Sequence, residues 1–319
     1  MRSFQVHSFE HPPALVEGPQ PQPQQGQALI RIHACSLNFA DTLMTKGKYQ
    51  DTPQLPFTLG LEMAGEVVTL GPETDGPAPG TRVAVYAGSG GLAEYGCFAA
   101  DRLVPIPNSM PYEEAAAFQI AYGTSHIALK HRARMQPGET LLVLGAAGGV
   151  GLTAVEIGKL MGAKVIACAR GADKLEAAKA AGADHLIDAK TADLRAEVKA
   201  LGGADVVYDP VGGDQWEAAF RACKPEARLI PIGFASGEVP QIPANHLLVK
   251  NLTVLGLYWG GYLKFAPEVL TSSMAELFTW YEAGHLKPHV SHVLPLDRAD
   301  EALELLRTRK STGKVVVTP

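Results

Sequence analysis

A glycine-rich segment at residues 145–151 (GAAGGVG) follows a short apolar run and precedes a helical pattern. A glycine loop between a buried strand and a helix is typical of dinucleotide phosphate binding, because the helix N-terminus supplies free N–H groups. Gly148 would let the backbone approach the pyrophosphate, and Gly151 would let the helix pack closely on the strand. The alternative is an ordinary glycine-rich turn. The residues predicted to bind the phosphates are Ala147, Gly148, Gly149 and Val150.

The end of the next predicted strand indicates which dinucleotide would bind. An NAD site usually has Asp or Glu about 20 residues after the loop, where the carboxylate binds the ribose 2′-hydroxyl. The corresponding residues 168–171 (CARG) contain no carboxylate, and Arg170 and Lys174 could pair with a 2′-phosphate. Asp173, with Glu176 three residues later, is interpreted as the N-cap of the next helix. The pattern favours NADPH over NADH, with a solvated surface pair as the alternative for Arg170 and Lys174.

Strand and helix patterns alternate through the middle of the sequence. The predicted strands are residues 141–144, 164–169, 185–188, 205–208, 228–232 and 253–257. The predicted helices between them are residues 149–161, 173–181, 192–201 and 214–223. This alternation predicts an α/β fold with a doubly wound parallel sheet.

The two ends of the sequence have a different character. The first 110 or so residues contain alternating, strand-like runs separated by Gly and Pro. Helices are expected at residues 266–283 and 298–308, and a strand at 314–317. We therefore expect a substrate domain of residues 1–118 and 266–319 and a nucleotide-binding domain of residues 119–265 inserted between its two parts.

Bulk properties exclude several classes of protein. The 319 residues carry a formal net charge of -5 and no basic stripe, which argues against nucleic-acid binding. No apolar run is long enough to predict a membrane span or a signal peptide. The four cysteines lie far apart and form no C-x-x-C pair, so a reducing, cytoplasmic setting is expected.

Several motifs together resemble the zinc-independent NADPH:quinone oxidoreductases, the zeta-crystallin-like branch of the medium-chain dehydrogenase/reductase superfamily. The motifs that carry this resemblance, besides the glycine loop, are residues 36–42 (SLNFADT), 60–67 (GLEMAGEV), 121–124 (AYGT), 209–213 (DPVGG) and 313–317 (GKVVV). The resemblance covers nearly the whole chain. It implies a Rossmann sheet inserted into a β-rich GroES-like catalytic domain.

The departures from the zinc alcohol dehydrogenases concern the metal. Those relatives hold a catalytic zinc with Cys, His and Cys, and the matching positions here are Asn38, Leu61 and Ile120. None of these is a useful zinc ligand, and Glu62 alone does not make a zinc site. The resemblance therefore implies hydride transfer without a metal.

The resemblance also implies roles for individual residues. Asn38, Asp41 and Tyr49 would face the substrate: Asn38 would donate a hydrogen bond to a developing oxyanion, and Tyr49 would donate a hydrogen bond or a proton. Asn38 and Asp41 could instead cap a short helix, and Tyr49 could be a surface aromatic residue. The implied cofactor contacts beyond the loop are Thr124, Gly233, Phe234, Tyr258, Trp259 and Arg309. Thr124 could instead start a helix, the aromatic residues could pack a core or subunit interface, and Arg309 could be solvated.

One cofactor contact of the branch is missing. A Tyr that follows the third strand in some members corresponds to Ala189 here.

The leading hypothesis for function is reduction of a quinone by NADPH, and the alternative is reduction of the C=C bond of an enone or enoyl substrate. A purely structural or RNA-binding role, known for relatives in the branch, is disfavoured by the glycine loop and the negative charge. A homodimer is expected, with residues 252–258 as a candidate sheet edge for pairing subunits. The alternative for this strand is a fully internal position in the sheet.

Overall fold

A computed structural model describes residues 1–319 and divides the chain into two compact units. The discontinuous unit comprises Met1–Ile120 and Pro288–Pro319, and the inserted unit comprises Ala121–Lys287. Residues 266–287, which the sequence assigned to the substrate domain, belong to the inserted unit. Their contacts give the reason: the ring nitrogen Nδ1 of His126 lies 2.8 Å from Ser273 Oγ, and the Lys287 N–H donates to Glu156 at 2.6 Å.

The N-terminal segment is mostly extended. Its strands are β1 (Arg2–Val6), β2 (Ala14–Glu17), β3 (Gln27–Leu37), β4 (Phe57–Thr58), β5 (Glu62–Leu70), β6 (Arg82–Tyr86), β7 (Tyr95–Ala99) and β8 (Leu103–Pro105). Its helices are α1 (Phe39–Met44) and α2 (Tyr112–Ala116).

The middle of the chain alternates helices and strands. The helices are α3 (Gln119–His126, continued by a π-helical stretch Ile127–Arg132), α4 (Gly149–Leu160), α5 (Ala172–Ala180), α6 (Leu194–Ala200), α7 (Gly213–Ala222), α8 (Ala244–Lys250), α9 (Tyr262–Phe265) and α10 (Pro267–Glu282). The strands are β9 (Thr140–Leu144), β10 (Lys164–Ala169), β11 (His185–Asp188), β12 (Ala204–Asp209), β13 (Cys223–Pro231) and β14 (Thr253–Val254). The C-terminal segment contains β15 (Val290–Pro295), α11 (Ala299–Arg307) and β16 (Lys314–Thr318).

The discontinuous unit is built on a seven-stranded sheet with the order β15-β16-β3-β5-β6-β8, in which β7 also pairs with β3. A second sheet has the order β2-β1-β4. The long strand β3 pairs antiparallel with β5, β7 and β16, so it joins both parts of the unit. Apolar residues of these strands and of α11 form one buried core.

The inserted unit contains a six-stranded sheet with the order β11-β10-β9-β12-β13-β14, and every pair of neighbouring strands is parallel. The predicted α/β fold with a doubly wound parallel sheet is therefore confirmed. Strand order reverses between β9 and β12, which is where ligands bind in folds of this kind. All five residues of β9 are buried, because helices cover both faces of a parallel sheet. Strand β14 lies at one edge of this sheet, in the segment that the sequence suggested as a candidate edge.

Candidate active site

The glycine loop connects β9 to the N-terminus of α4. Gly148 is exposed and caps α4 with φ -80° and ψ 173°, while its N–H donates to the Gly145 carbonyl at 2.9 Å. A Cβ on Gly148 would meet only that carbonyl oxygen, at 3.4 Å. The first-turn N–H groups of α4 have no partner within the helix, so this end of the helix can bind an anion. The loop is therefore an open cradle in which an added methyl group would occupy the space of a ligand.

Gly151 has a different environment from Gly148. A Cβ there would lie 2.2 Å from the Gly145 carbonyl oxygen and 2.9 Å from Ala146 Cα, distances that no side chain can adopt. Only glycine allows α4 to begin this close to the end of β9. This matches the packing role expected from the sequence.

A network of buried hydroxyl groups contacts the first turn of α4, next to the glycine loop. Ser125 Oγ lies 2.8 Å from Thr153 Oγ1 and 2.9 Å from Tyr208 Oη, and it donates to the Val150 carbonyl at 3.0 Å. Burial raises the pKa of Tyr208 well above its usual range, so the phenol stays protonated. The network ties α3 and β12 to the first turn of α4 and fixes the direction of its N–H groups. Thr124, a predicted ribose contact, is the buried neighbour of Ser125.

Two cationic residues lie at and just after the turn that follows β10. Arg170 is exposed and Lys174 is half-buried in the first turn of α5. Gly171, not Asp173, is the N-cap of α5, because its φ of +84° turns the chain into the helix one residue before Ala172. The interpretation of Asp173 as the N-cap is therefore wrong; it lies in the first turn, where a carboxylate favours the helix dipole.

Lys190 also lies beside this turn, although no pattern in the sequence predicted a role for it. Asp188 Oδ1 accepts the N–H groups of Gly171 and Lys190, each at 3.0 Å, so the two segments are held together. The Lys190 ammonium lies 3.4 Å from the point that a Cβ on Gly171 would occupy. These hydrogen bonds lower the pKa of Asp188, with the one from Lys190 contributing most, followed by that from Gly171. The only signal in the sequence was the position of Lys190, next to the Ala189 that replaces a family tyrosine.

The residues predicted to wall the nicotinamide differ in exposure. Phe234 follows Gly233 after β13 and is exposed, and Tyr258 is exposed to a similar degree. Trp259 is only 7% exposed, and a Cβ on Gly123 would lie 2.6 Å from its indole nitrogen. Trp259 therefore packs closely on α3, where only a glycine leaves room for the ring.

Arg309 lies in the discontinuous unit, directly after α11, and is exposed. Its backbone is left-handed, with φ +56°. Its predicted contact with the cofactor stays a prediction.

Asp41 lies in the first turn of α1 and is completely buried. One carboxyl oxygen accepts the Asn38 N–H at 2.8 Å, and the other accepts the Gly60 N–H at 3.1 Å. Burial raises the pKa of this carboxyl to about 7, against the opposing effect of these hydrogen bonds. These contacts match the capping role that was the alternative to catalysis, and a catalytic role of Asp41 stays a prediction.

The side chain of Asn38 is held by two charged groups. Its carbonyl oxygen accepts from the Lys314 ammonium at 2.7 Å, and its amide nitrogen donates to Glu62 Oε1 at 2.9 Å. Lys314 also donates to Glu62 Oε1 at 2.9 Å, and Glu62 Oε2 accepts the Ile120 N–H at 2.9 Å. Asn38 itself is partly exposed, whereas Glu62 and Lys314 are buried. The amide is a fixed polar group at the edge of a buried ion pair.

Tyr49 is partly buried and packs against the core of the discontinuous unit. Burial, followed by the nearby Tyr86 phenol, raises the pKa of Tyr49 above its usual value of 10. Burial likewise raises the pKa of Tyr86 to about 12. Both phenols therefore remain protonated near neutral pH and can donate hydrogen bonds. Tyr86 was not predicted from the sequence, since only the fold shows its relation to Tyr49.

No group of three or more His, Cys, Asp or Glu side chains is arranged to hold a metal ion. Leu61 and Ile120, the two apolar residues that the resemblance matches to zinc ligands, lie in the core or against it. None of the helices combines the length and apolar composition required of a membrane span.

Comparison with known proteins places this architecture in a family. Residues 24–108 match the alcohol dehydrogenase GroES-like domain, and residues 149–278 match the zinc-binding dehydrogenase domain. The quinone oxidoreductase-like protein 2 homolog of Nematostella vectensis is 42% identical over 297 residues, which cover 91% of this chain and 81% of the relative.

Two solved structures are similar over their whole length. The quinone oxidoreductase of Thermus thermophilus, determined alone and with NADPH, has a TM-score of 0.89 and 33% identity, with 100% of each chain covered. The Escherichia coli quinone oxidoreductase complexed with NADPH has a TM-score of 0.92 and 30% identity, again with 100% of each chain covered. The chain therefore belongs to the quinone oxidoreductase branch of the medium-chain dehydrogenase/reductase superfamily.

Proposed function

We propose that this protein is an NADPH-dependent oxidoreductase that reduces a quinone by metal-independent hydride transfer. The observation that carries the proposal is the open glycine cradle at Gly148 combined with a cationic turn at Arg170, where an NAD-specific site would place a carboxylate. The choice of acceptor is supported by a solved quinone oxidoreductase that matches over 100% of both chains and by a relative named quinone oxidoreductase-like.

The residues of the inserted unit fit NADPH. The pyrophosphate would lie at the N-terminus of α4, against the backbone of Ala147, Gly148, Gly149 and Val150. Arg170, Lys174 and Lys190 would bind the 2′-phosphate, because ammonium and guanidinium groups form charge-assisted hydrogen bonds with phosphate oxygens. Lys190 would supply the contact that Ala189 cannot. Around the nicotinamide and ribose, the proposed contacts are Thr124, Gly233, Phe234, Tyr258 and Trp259. The proposed role of Arg309 is to bind the cofactor phosphate.

When bound, NADPH supplies a hydride from C4 of its nicotinamide. The Asn38 amide would donate a hydrogen bond to the quinone oxygen on which negative charge develops. Tyr49 would supply a proton to that oxygen, directly or through water, and would recover it from solvent. The balance is one NADPH, one quinone and one proton converted to NADP⁺ and hydroquinone. Asp41 takes no part in the transfer and instead holds the backbone of Asn38.

The proposed reaction uses no zinc. A quinone is electrophilic enough to accept a hydride when it is held against the donor, so the protein needs to supply positioning and hydrogen bonds rather than a Lewis acid. The apolar side chains of Leu61 and Ile120 support this part of the proposal.

We also propose a homodimer formed through the inserted unit. Strand β14 leaves one edge of the parallel sheet unpaired, and Leu248 and Val249 of the neighbouring helix α8 are 76% and 71% exposed. Exposed apolar residues beside a free strand edge favour association with a second copy by a twofold axis. The proposed setting is the cytoplasm, as expected from the four unpaired cysteines.

The test is a steady-state assay of nicotinamide absorbance with purified, chelator-treated protein. The acceptors are 9,10-phenanthrenequinone and an α,β-unsaturated ketone, each with NADPH, with NADH, and without enzyme. We expect quinone turnover that prefers NADPH, is unchanged by chelator, and falls about a hundredfold in Asn38→Ala, the scale of losing one oxyanion donor. Asn108→Ala, which removes an exposed amide of the same unit, is the matched control.

Each contrary result refutes a defined part of the proposal. Turnover of the enone alone would assign the protein to the double-bond reductases. Loss of quinone turnover after chelation would refute metal independence. Equal loss in both asparagine variants would refute the role of Asn38.

A further inference from the structure

We propose that Lys314 is a positioning residue of the substrate site, which fixes the Asn38 amide so that it presents an N–H group, rather than its carbonyl oxygen, to the acceptor. This inference rests on the proposed function, because it explains how Asn38 can serve as an oxyanion donor. Lys314 lies 276 residues after Asn38 in the chain, and no role was assigned to it by the sequence.

The hydrogen-bonding capacity of the neighbours determines the orientation of the amide. An ammonium group only donates and an ionised carboxylate only accepts. The Asn38 carbonyl oxygen must therefore face Lys314, and its nitrogen must face Glu62. A flipped amide would place its N–H groups against the ammonium and its oxygen against the carboxylate. The assignment thus follows from chemistry, without any need to see hydrogen atoms.

The fixed orientation leaves one donor unused. An amide nitrogen carries two hydrogens, and Glu62 Oε1 accepts one of them. No other protein acceptor binds the second. Because Asn38 is partly exposed while Lys314 and Glu62 are only 6% and 1% exposed, this second N–H is the one that a ligand can reach.

The three residues are themselves held by rigid elements. Lys314 begins β16, and its N–H donates to the His289 carbonyl at 2.9 Å. Gly313, just before it, has φ +57°, and a Cβ there would lie 2.2 Å from the same carbonyl oxygen, so the approach of this strand requires glycine. Asp41 holds the backbone of Asn38, so both the backbone and the side chain of the donor are fixed.

The Lys314 ammonium lies near the residues that the family resemblance matches to zinc ligands. Asn38 and Ile120 occupy positions at which zinc-dependent relatives have zinc ligands, and both are hydrogen-bonded to Glu62. The cation beside Asn38 is the ammonium of Lys314, covalently part of the chain. It acts through the orientation of an amide, whereas a metal would bind the substrate oxygen directly.

A double-mutant cycle tests whether Lys314 acts through Asn38. The variants are Lys314→Met, Asn38→Ala and the double variant, assayed for kcat with NADPH and 9,10-phenanthrenequinone. Lys314→Met is expected to lower kcat about tenfold or more in the parent and to change it less than about twofold in the Asn38→Ala background, since coupled residues are not additive. Lys314→Arg should restore part of the loss. Lys310→Met, which removes an exposed lysine of the same unit, is the matched control.

Lys314→Met leaves the Glu62 carboxylate buried without its cation, which threatens folding. The pair Glu62→Gln with Lys314→Met removes both charges and should fold, with NADPH affinity within about twofold of the parent but the same loss of kcat. If Lys314→Met lowers kcat by the same factor in the parent and in the Asn38→Ala background, the proposal is overturned, because the lysine then acts independently of Asn38. Parent-like kcat in the charge-free pair would overturn it as well.

A readout without turnover separates this inference from the proposed function. In a ¹⁵N spectrum, the Asn38 side-chain amide of the parent should show one proton shifted downfield by the bond to Glu62, and Lys314→Met, which keeps Glu62, should reduce that shift. If the parent reduces no quinone, the proposed function fails while this test still applies. An Asn38 signal that is the same in the parent and in Lys314→Met would overturn the positioning role of Lys314.

Discussion

Substitution by alanine should have different effects at two glycines of the same loop, Gly151 and Gly148. Alanine at Gly151 would place its Cβ 2.2 Å from the Gly145 carbonyl oxygen, and the nearest atoms are all backbone. Relief of this clash requires α4 to move away from β9 by roughly 1 Å, which is an overpacking defect that costs about 3 kcal/mol. Alanine at Gly148 has an allowed conformation and meets only one atom at 3.4 Å, so stability should change by less than about 1 kcal/mol.

The assay compares thermal unfolding with NADPH binding in both variants. Gly151→Ala should lower Tm by roughly 6–12 °C, because each kcal/mol shifts the Tm of domains of this size by about 2–4 °C. Gly148→Ala should keep the parent Tm but raise the Kd for NADPH by about tenfold or more, since the methyl group occupies the space of the pyrophosphate. Gly256→Ala, which meets no atom within 4 Å, is the control for the loss of a glycine in this unit. Parent-like NADPH affinity in Gly148→Ala, or a parent-like Tm in Gly151→Ala, would refute the reasoning.

Three other perturbations test separate features. Lys190→Glu should raise the KM for NADPH about tenfold and leave the KM for NADH within about twofold, because it reverses a charge at the proposed 2′-phosphate site. A similar effect of Lys179→Glu, at an exposed lysine, would rule out a local contact between Lys190 and the phosphate. Burial lowers the pKa of His126 below its usual value of 6.5, against the opposing effect of Glu276, so the unfolded chain binds this proton first and stability falls as pH drops below about 6.5. Denaturant titrations of His126→Gln should show a smaller loss of unfolding free energy between about pH 7 and 5. The same dependence of unfolding free energy on pH in the parent and the variant would contradict this. Leu248→Glu should convert the proposed dimer to a monomer, as measured by light scattering. Leu186→Glu, at an exposed residue of the opposite sheet edge, should leave the dimer intact. A dimer in both variants would show that the interface lies elsewhere.

Local patterns in the sequence were sufficient for the inserted sheet and its glycine loop. Buried strands such as β9 are continuous apolar runs, and the loop follows directly in the chain, so both could be predicted without knowledge of distant contacts. The N-cap of α5 was misassigned, because a left-handed Gly171 starts the helix and the sequence does not display backbone angles. Helix α10 was grouped with the wrong part of the chain, since its contacts with α3 are invisible in sequence order.

The candidate substrate site was only partly predictable. Asn38 and Tyr49 were recognised through the family resemblance, but their partners are far away in the chain. Glu62 and Lys314 acquire a role only when β5 and β16 come to lie on either side of β3, a pairing that tertiary packing decides. The burial of Asp41, which supports the capping alternative, likewise depends on the approach of Gly60.

The order of the elements in the chain has a consequence for biosynthesis. Strand β16 pairs with β3, yet the whole inserted unit is translated between them. While a ribosome is making that unit, the nascent chain has Asn38 and Glu62 but no ammonium to balance the carboxylate. The parallel sheet can form during this interval, because all of its strands are contiguous in the chain. The Lys314 contacts with Asn38 and Glu62 can therefore form only after the second segment of the discontinuous unit has been made.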